Sequence, residues 1–210
     1  SGILYDSEDR VLGQTVLSHA DPLAQATDKQ VISGITYDSE DRVSGQVVTN
    51  HADPLGEATD KQEITGITYD SEDRVLSQTV WNHADPDGAV TDKQVISGIT
   101  YDSDDRVSGQ IVLNFADPLG AASDRQEISG ITYDIEDRVL SQTVYNFGDP
   151  SKSLLSDATD KQVISGILYD SEDRVVAQTV LTHADPLAQA TDKQVISGIL
   201  YDSEDRVLGQ

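Results

Sequence analysis

Histidine recurs at one position of a repeated pattern, and imidazole is a common metal ligand in proteins. The four histidines are His19, His51, His83 and His183. Two further repeats carry Phe115 and Phe147 at the same position, and a phenyl ring offers no atom that could bind a metal ion. The position is therefore interpreted as a site of aromatic packing rather than as a column of metal ligands.

Adjacent carboxylates also recur along the chain, beginning with Glu8 and Asp9. Paired carboxylates can act as general acid and base when one preorganised site holds them, whereas a pair repeated in every unit is typical of a solvated surface. The sequence contains no HExxH, glycine-rich phosphate loop or GxSxG motif, and it has no cysteine. These features predict that the protein is not an enzyme and uses no organic cofactor.

Calcium is the ligand that the carboxylates suit best, because Ca²⁺ prefers hard oxygen donors. The weak cation candidates of the first two repeats are Asp6, Glu8, Asp9, Asp38, Glu40 and Asp41. No repeat has the residue spacing of a known calcium-binding loop, so the binding of Ca²⁺ or another divalent cation is a hypothesis without a defined site. The net charge of -24 predicts that cations stabilise a stacked array by screening.

The charge balance also restricts the partners of the protein. With 38 acidic and 14 basic residues, the chain lacks the clustered Lys and Arg that bind nucleic acid or anionic membrane surfaces. No apolar run approaches the ~20 residues of a membrane span, which predicts no membrane insertion. The absence of Cys and Met and the acidic composition favour an extracellular or cell-surface location.

A heptapeptide that reads YDSEDRV in its first copy occurs seven times. The copies begin at Tyr5, Tyr37, Tyr69, Tyr101, Tyr133, Tyr169 and Tyr201. Their spacing is 32 residues except for one interval of 36, and such a period predicts stacked structural repeats. The extra residues lie within 148–162, which is expected to be a surface loop. The sequence of residues 1–14 returns at 197–210, and there is neither an initiator Met nor a signal peptide, so we expect a segment of a longer array.

Each repeat reads as a strand, a tight turn, a second strand and a longer loop. The β-branched residues before the heptapeptide favour a strand, and Gly34 can supply a bulge that lets Ile32 and Ile35 face the same side. Residues 6–9 are predicted to form the hairpin turn, with Asp9 in the left-handed conformation that Asp tolerates. An Asp-Pro pair in each loop predicts a second, type I turn. The alternative is a single helical turn that starts at Pro22 and is capped by Asp21.

The predicted fold is all-β, an elongated tandem-repeat stack of β-hairpins or β-solenoid rungs with a 32-residue period. Hairpins are favoured over single rungs, and stability is expected to come mostly from stacking on neighbouring repeats. We interpret residues 1–210 as one continuous array with loops between the hairpins. The hairpins are predicted near 1–14, 33–46, 65–78, 97–110, 129–142, 165–178 and 197–210.

Residues that recur unchanged are predicted to form ladders across the stacked repeats. The three ladders are represented by Tyr5, Tyr37 and Tyr69, by Gln14, Gln46 and Gln78, and by Ile35, Ile67 and Ile99. Asn50 and its counterparts are expected to form a further amide ladder near the loops. The alternative for the amides is that each satisfies only local backbone groups.

The pattern Y-D-x-x-D-R-V followed by a short strand resembles the repeats of the YD-repeat, or Rhs-type, family. The resemblance is carried by Tyr5, Asp6, Arg10, Val11 and their counterparts in all seven repeats. Asp9 stands where that family usually has Gly, and the period here is longer. The resemblance implies β-hairpins in long spiralling sheets and a bacterial shell or surface fibre.

The leading functional hypothesis is a non-catalytic structural protein of an extracellular fibre, sheath or adhesin stalk. In this hypothesis the partner is the protein itself, through self-assembly of acidic β-repeats into a filament. One alternative is a segment of a YD-repeat β-shell or a surface binding module, whose recognition face would include Trp81, Tyr145 or Leu17. A second alternative is a calcium-binding extracellular repeat domain.

Overall fold

The computed structural model describes residues 2–19, 25–202 and 206–209. These residues form β-strands joined by turns, with a single short 3₁₀ helix, η1, at Leu155–Asp157. The strands are β1 Gly2–Tyr5, β2 Val11–Ser18, β3 Asp28–Tyr37, β4 Val43–His51, β5 Asp60–Tyr69, β6 Val75–His83, β7 Asp92–Tyr101, β8 Val107–Phe115, β9 Asp124–Tyr133, β10 Val139–Phe147, β11 Asp160–Tyr169, β12 Val175–His183, β13 Asp192–Ser197, β14 Leu200–Tyr201 and β15 Val207–Gly209.

Strands β1 to β13 follow one another in chain order in a 13-stranded antiparallel sheet, and β14 pairs with β15 in a second sheet. Within each sheet the strands therefore pair with their neighbours in sequence, and a hairpin recurs at the predicted 32-residue period. The prediction of an all-β array of tandem hairpins is confirmed.

The chain divides into two compact units, and the division falls within two strands. The first unit comprises Ser1–Ser97 and Asn114–Ala122, and the second comprises Gly98–Leu113 and Ser123–Gln210. The first contains β1 to β6 and the second contains β9 to β15, while β7 and β8 contribute residues to both.

The hairpin turn is closed by its first aspartate. In the first repeat the backbone N–H of Asp6 donates to the carbonyl of Arg10 at 2.9 Å, and the N–H of Asp9 donates to the carbonyl of Asp6 at 3.3 Å. Asp6 Oδ1 accepts the N–H groups of Glu8 at 2.8 Å and Arg10 at 2.9 Å. Asp9 has φ of 62°, which confirms the predicted left-handed conformation.

A glycine bulge corrects the side-chain alternation of the strand before each turn. Gly34 has φ of 57°, which lies in the left-handed region that favours glycine. The register between β3 and β4 shifts between Ser33 and Thr36. The bulge predicted from the spacing of the two isoleucines is therefore present.

The second turn lies in the loop and uses the Asp-Pro pair. The carbonyl of Asp53 accepts the N–H of Gly56 at 2.9 Å, and Asp53 Oδ1 accepts the N–H of Leu55 at 2.9 Å. A similar carbonyl bond joins Asp85 to Gly88 at 2.9 Å. These bonds agree with the predicted turn; the corresponding pair Asp21-Pro22 lies outside the described residues.

The sheet has little conventional core. Among the described residues, the buried apolar side chains are Val48, Val112, Phe147, Ala158 and Ile167. Ile35, Ile67 and Ile99 are only half-buried, although their counterpart Ile167 is buried. Stability must therefore depend strongly on hydrogen bonds between strands and on contacts along the edges of the sheet. In the described part of the chain no helix is long and apolar enough to cross a membrane.

Candidate functional site

The edge of the sheet formed by the hairpin turns carries a recurring arginine cluster. Arg10 Nε donates to Asp6 Oδ2 at 2.8 Å, and Arg10 Nη2 lies 2.8 Å from Glu8 Oε2. Arg10 Nη1 donates to Oδ1 of Asp41, in the turn of the next hairpin, at 2.8 Å. One guanidinium therefore binds two carboxylates of its own turn and one of the following repeat.

The same guanidinium also contacts the tyrosine of the next repeat. The Cζ of Arg10 lies 4.9 Å from the centroid of the Tyr37 ring, a cation–π distance. Tyr37 Oη donates to the carbonyl of Val11 at 2.7 Å, so this tyrosine is hydrogen-bonded to the preceding hairpin. We call the group of Arg10, Tyr37 and Asp41, with its equivalents, the inter-repeat clamp.

The inter-repeat clamp recurs with nearly constant geometry. The arginine–aspartate distances are 3.0 Å for Arg42–Asp73, 3.0 Å for Arg106–Asp137 and 2.8 Å for Arg138–Asp173. The tyrosine Oη–carbonyl distances are 2.6 Å for Tyr69–Val43, 2.7 Å for Tyr133–Val107, 2.7 Å for Tyr169–Val139 and 2.7 Å for Tyr201–Val175. The tyrosines predicted to form a ladder thus alternate with arginines along this edge. Tyr5, the first of them, is exposed.

The contacts around the arginines shift the pKa of some groups on this edge. The hydrogen bond from the Arg10 backbone N–H, followed by the bond from its guanidinium, lowers the pKa of Asp6, although desolvation partly opposes this. The hydrogen bonds that the Arg10 guanidinium donates to Asp6 and then to Asp41 raise the pKa of Arg10 above its usual range. Burial raises the pKa of Tyr69. The carboxylate and the guanidinium are therefore charged, and the phenol neutral, at neutral pH.

The six cation candidates of the sequence lie on this edge, and five of them bind arginines. Asp6, Glu8 and Asp41 bind Arg10, and Asp38 and Glu40 bind Arg42. Asp9 occupies the left-handed turn position equivalent to that of Asp41. In residues 2–19, 25–202 and 206–209, no three His, Cys, Asp or Glu side chains are placed to hold a metal ion together. Calcium binding stays a hypothesis.

A second ladder crosses the strands nearer the loops. Gln30 Nε2 donates to Asn50 Oδ1 at 3.1 Å, and Asn50 Nδ2 donates to Asp60 Oδ1 in the next repeat at 2.7 Å. The same chain joins Gln62, Asn82 and Asp92 at 3.0 and 2.6 Å, and Gln126, Asn146 and Asp160 at 3.0 and 2.7 Å.

The sequence predicts the asparagines of this ladder but not its glutamine. The signal for that glutamine is the Asp-Lys-Gln or Asp-Arg-Gln triplet that begins β3 and its equivalents. The predicted ladder residues Gln14, Gln46 and Gln78 are half-buried and lie opposite Ile32, Ile64 and Ile96 of the following repeats.

The loop edge holds the histidine and phenylalanine position. His83 Nδ1 lies 3.1 Å from the carbonyl of Gly88, and His183 Nδ1 lies 3.0 Å from that of Ala188. Lys93 Nζ is 3.7 Å from the centroid of Phe115, and Arg125 Cζ is 4.5 Å from that of Phe147. The position therefore packs an aromatic ring beneath a cation or against a loop, which agrees with the packing interpretation.

Of the side chains proposed for a recognition face, Trp81 contacts residues of both neighbouring strands. Trp81 Nε1 donates to Thr65 Oγ1 at 3.2 Å, and Lys93 Nζ lies 5.0 Å from the Trp81 ring centroid. Tyr145 lies opposite Glu127 on β9 and Lys161 on β11, and Leu17 lies opposite Lys29 on β3.

Comparison with known proteins identifies no relative: no protein-family model matches the chain, and no curated protein matches it. The resemblance of the Tyr-Asp motif to YD-repeats consequently stays a prediction. The geometry of the site joins each hairpin to the next.

Proposed function

We propose that the chain is a non-catalytic structural repeat protein of an extracellular fibre, sheath or adhesin stalk. The observation that carries this proposal is the inter-repeat clamp. The recurring Tyr, Asp and Arg side chains form a contact between successive hairpins, as in Arg42 bound to Asp73 and stacked on Tyr69. Repetition of the motif therefore amounts to repetition of an interface.

An interface of this kind suits a polymer. Each clamp uses groups from one repeat and the next, so the stability of an array is approximately a sum of nearest-neighbour interactions. A further repeat, in the same chain or in a second copy, can meet the same set of groups. Because every pair of repeats uses the same contact groups, copies of the chain could assemble by stacking their acidic repeats.

The charge of the protein supports a dependence on cations. The net charge is -24, and the clamp aspartates remain largely exposed, with Asp41 at 72% and Asp73 at 74% of full side-chain exposure. Salt screens repulsion between such exposed charges over about 10 Å at 0.1 M ionic strength. Calcium or another divalent cation would accordingly stiffen the proposed assembly without needing one dedicated site.

Electron microscopy of the purified full chain, with and without a chelator, tests the proposal. Continuous fibres with a regular axial repeat are expected, and their shortening by the chelator would make cations part of assembly. Discrete short rods would contradict the polymer. A matched variant, Arg42→Lys, keeps the charge but loses the planar fork that reaches Asp38 and Asp73 together, so it should weaken assembly.

A segment of a YD-repeat shell or a surface binding module is the second candidate. It is favoured by the placement of Tyr5, Asp6, Arg10 and Val11 around a hairpin turn, which is the structure that the resemblance implies. Closed shells in the same micrographs would support this candidate over the fibre.

A further inference from the structure

Two histidines on the loop edge are buried. His83 and His183 are only 6% and 9% exposed. Each Nδ1 lies within hydrogen-bonding distance of a loop carbonyl, Gly88 or Ala188, and a carbonyl can only accept. Nδ1 must therefore carry the proton, and Nε2 is the nitrogen that would take up a second proton.

The Nε2 atoms of both rings are buried without a hydrogen-bond partner. Nε2 of His83 lies 3.3 Å from Glu63 Oε1, which also binds Lys61 Nζ at 2.9 Å. The hydrogen bond from Lys61 lowers the pKa of Glu63, so this carboxylate stays ionised under mildly acidic conditions. His83 therefore has a counter-ion within reach, although the two groups are not hydrogen-bonded.

His183 has a different neighbour on the adjacent strand. Lys161 lies directly opposite it on β11, and Lys161 Nζ donates to the carbonyl of buried Pro186 at 2.8 Å. Val163 stands on β11 where the His83 repeat has Glu63. Protonated His183 would thus place a second positive charge beside Lys161, with no carboxylate at the position of Glu63; Asp160, the carboxylate of β11, accepts a hydrogen bond from Asn146 Nδ2 at 2.7 Å.

The remaining titratable groups on the elements around the two rings are similar. For His83 they are Asp92 and Lys93 on β7 and Asp85 and Asp87 in its own loop. For His183 they are Asp192 and Lys193 on β13 and Asp185 in its own loop. Asp60 on β5 and Asp160 on β11 are equivalent, so the two sites differ in two carboxylates: Glu63 on the adjacent strand and Asp87 in the loop, where the His183 repeat has Val163 and Leu187.

We propose that His183 is an acid-sensitive latch that holds loop 184–191 against the sheet while its imidazole is neutral and releases the loop on protonation. Burial of an imidazolium next to a lysine without a counter-ion is unfavourable, so a proton binds preferentially to the opened loop. The loop after His83 stays against the sheet when the ring is protonated, because Glu63 can accept a hydrogen bond from the new Nε2–H. The loop after Phe147 cannot respond, since its ring does not titrate.

Amide hydrogen exchange of the full chain between pH 8 and 5 tests this latch. The Thr191 N–H, bonded to the Thr182 carbonyl at 2.8 Å, reports on the His183 loop. Thr91 and Thr159 make the equivalent bonds, both at 2.7 Å, in the His83 and Phe147 loops. After correction for intrinsic exchange, protection of Thr191 should fall below about pH 6.5, by at most tenfold per pH unit for one proton, whereas protection of Thr159 should not change.

Substitutions that exchange the features of the repeats provide matched controls. His183→Phe should remove the pH dependence at Thr191, Val163→Glu should reduce it, and Glu63→Val should create it at Thr91. Equal pH profiles for Thr191 and Thr159, or an unchanged profile in His183→Phe, would overturn the latch. If His183→Phe does not fold, Val163→Glu decides. A proton found on Nε2 rather than Nδ1 by ¹⁵N spectroscopy at pH 8 would also refute the proposal.

Discussion

Replacement of Tyr69 by phenylalanine isolates one hydrogen bond of the inter-repeat clamp. Tyr69 Oη donates to the carbonyl of Val43 at 2.6 Å, and its ring lies 4.8 Å from Arg42 Cζ. Phenylalanine keeps the ring and its cation–π contact but removes the donor. The net value of an intramolecular hydrogen bond is about 1 kcal/mol, so the free energy of unfolding should fall by about that amount. For a cooperative unit of this size the melting temperature should fall by about 2–4 °C.

Tyr145→Phe is the matched control, because the Tyr145 hydroxyl makes no hydrogen bond in the described structure. Urea denaturation of both variants, followed by circular dichroism, measures the difference. If Tyr69→Phe and Tyr145→Phe lose the same stability, the hydroxyl of the clamp does not join the repeats and the reasoning fails. A change in the slope of the denaturation curve would instead indicate that the cooperative unit has changed.

The alkaline limb of the pH profile tests the same bond independently. Burial raises the pKa of Tyr69 in the folded protein, so its contribution is fully present below the ordinary phenol pKa of about 10. That contribution should disappear as the pH rises through the raised folded value. Tyr69→Phe should lose less stability than the parent protein over this interval.

Three further predictions concern turns, bulges and charge. Hydrogen bonds, first that from the Arg42 backbone N–H, lower the pKa of Asp38 in the folded protein. The stability that this carboxylate contributes is therefore present above about pH 4 and is lost as the pH falls through its lowered folded pKa. Asp38→Asn should reduce the loss of stability in acid, measured by circular dichroism. Gly66 has φ of 62°, and no atom lies within 4 Å of the position that a Cβ would take. Gly66→Ala should therefore lower the free energy of unfolding by about 1 kcal/mol through backbone strain alone. Gly66→Asn should lower it less in the same urea titration. Added NaCl should raise the melting temperature; a temperature unmoved by salt or calcium would contradict the screening argument.

Local chemistry made the hairpins predictable. The left-handed Asp9, the bulge at Gly34 and the turn beginning at Asp53 each depend on a residue that favours one backbone conformation. Tertiary context matters little at such positions, so a single repeat contains enough information. The recurrence of His and Phe at one position was equally informative, because packing is the property that the two rings share.

The contacts between repeats were less predictable, because they depend on the register of neighbouring hairpins. The sequence places Arg10 near its own carboxylates, but nothing in one repeat shows that it reaches Asp41, 31 residues later. The sequence also favours a glutamine ladder through Gln14, whereas the observed bonds use Gln30. Both glutamines recur equally, and only the strand pairing decides which one lies opposite asparagine.

The position of the clamp also explains how one repeat accepts four extra residues. The extra residues lie between β10 and β11, at the loop edge, whereas the clamp lies beside the hairpin turns at the opposite ends of the strands. Arg138 still binds Asp173 at 2.8 Å and lies 4.8 Å from the Tyr169 ring across this longer interval. The variable loops and the clamp are therefore separated by the length of a strand. The loops can vary without loss of the interface on which the proposed assembly depends.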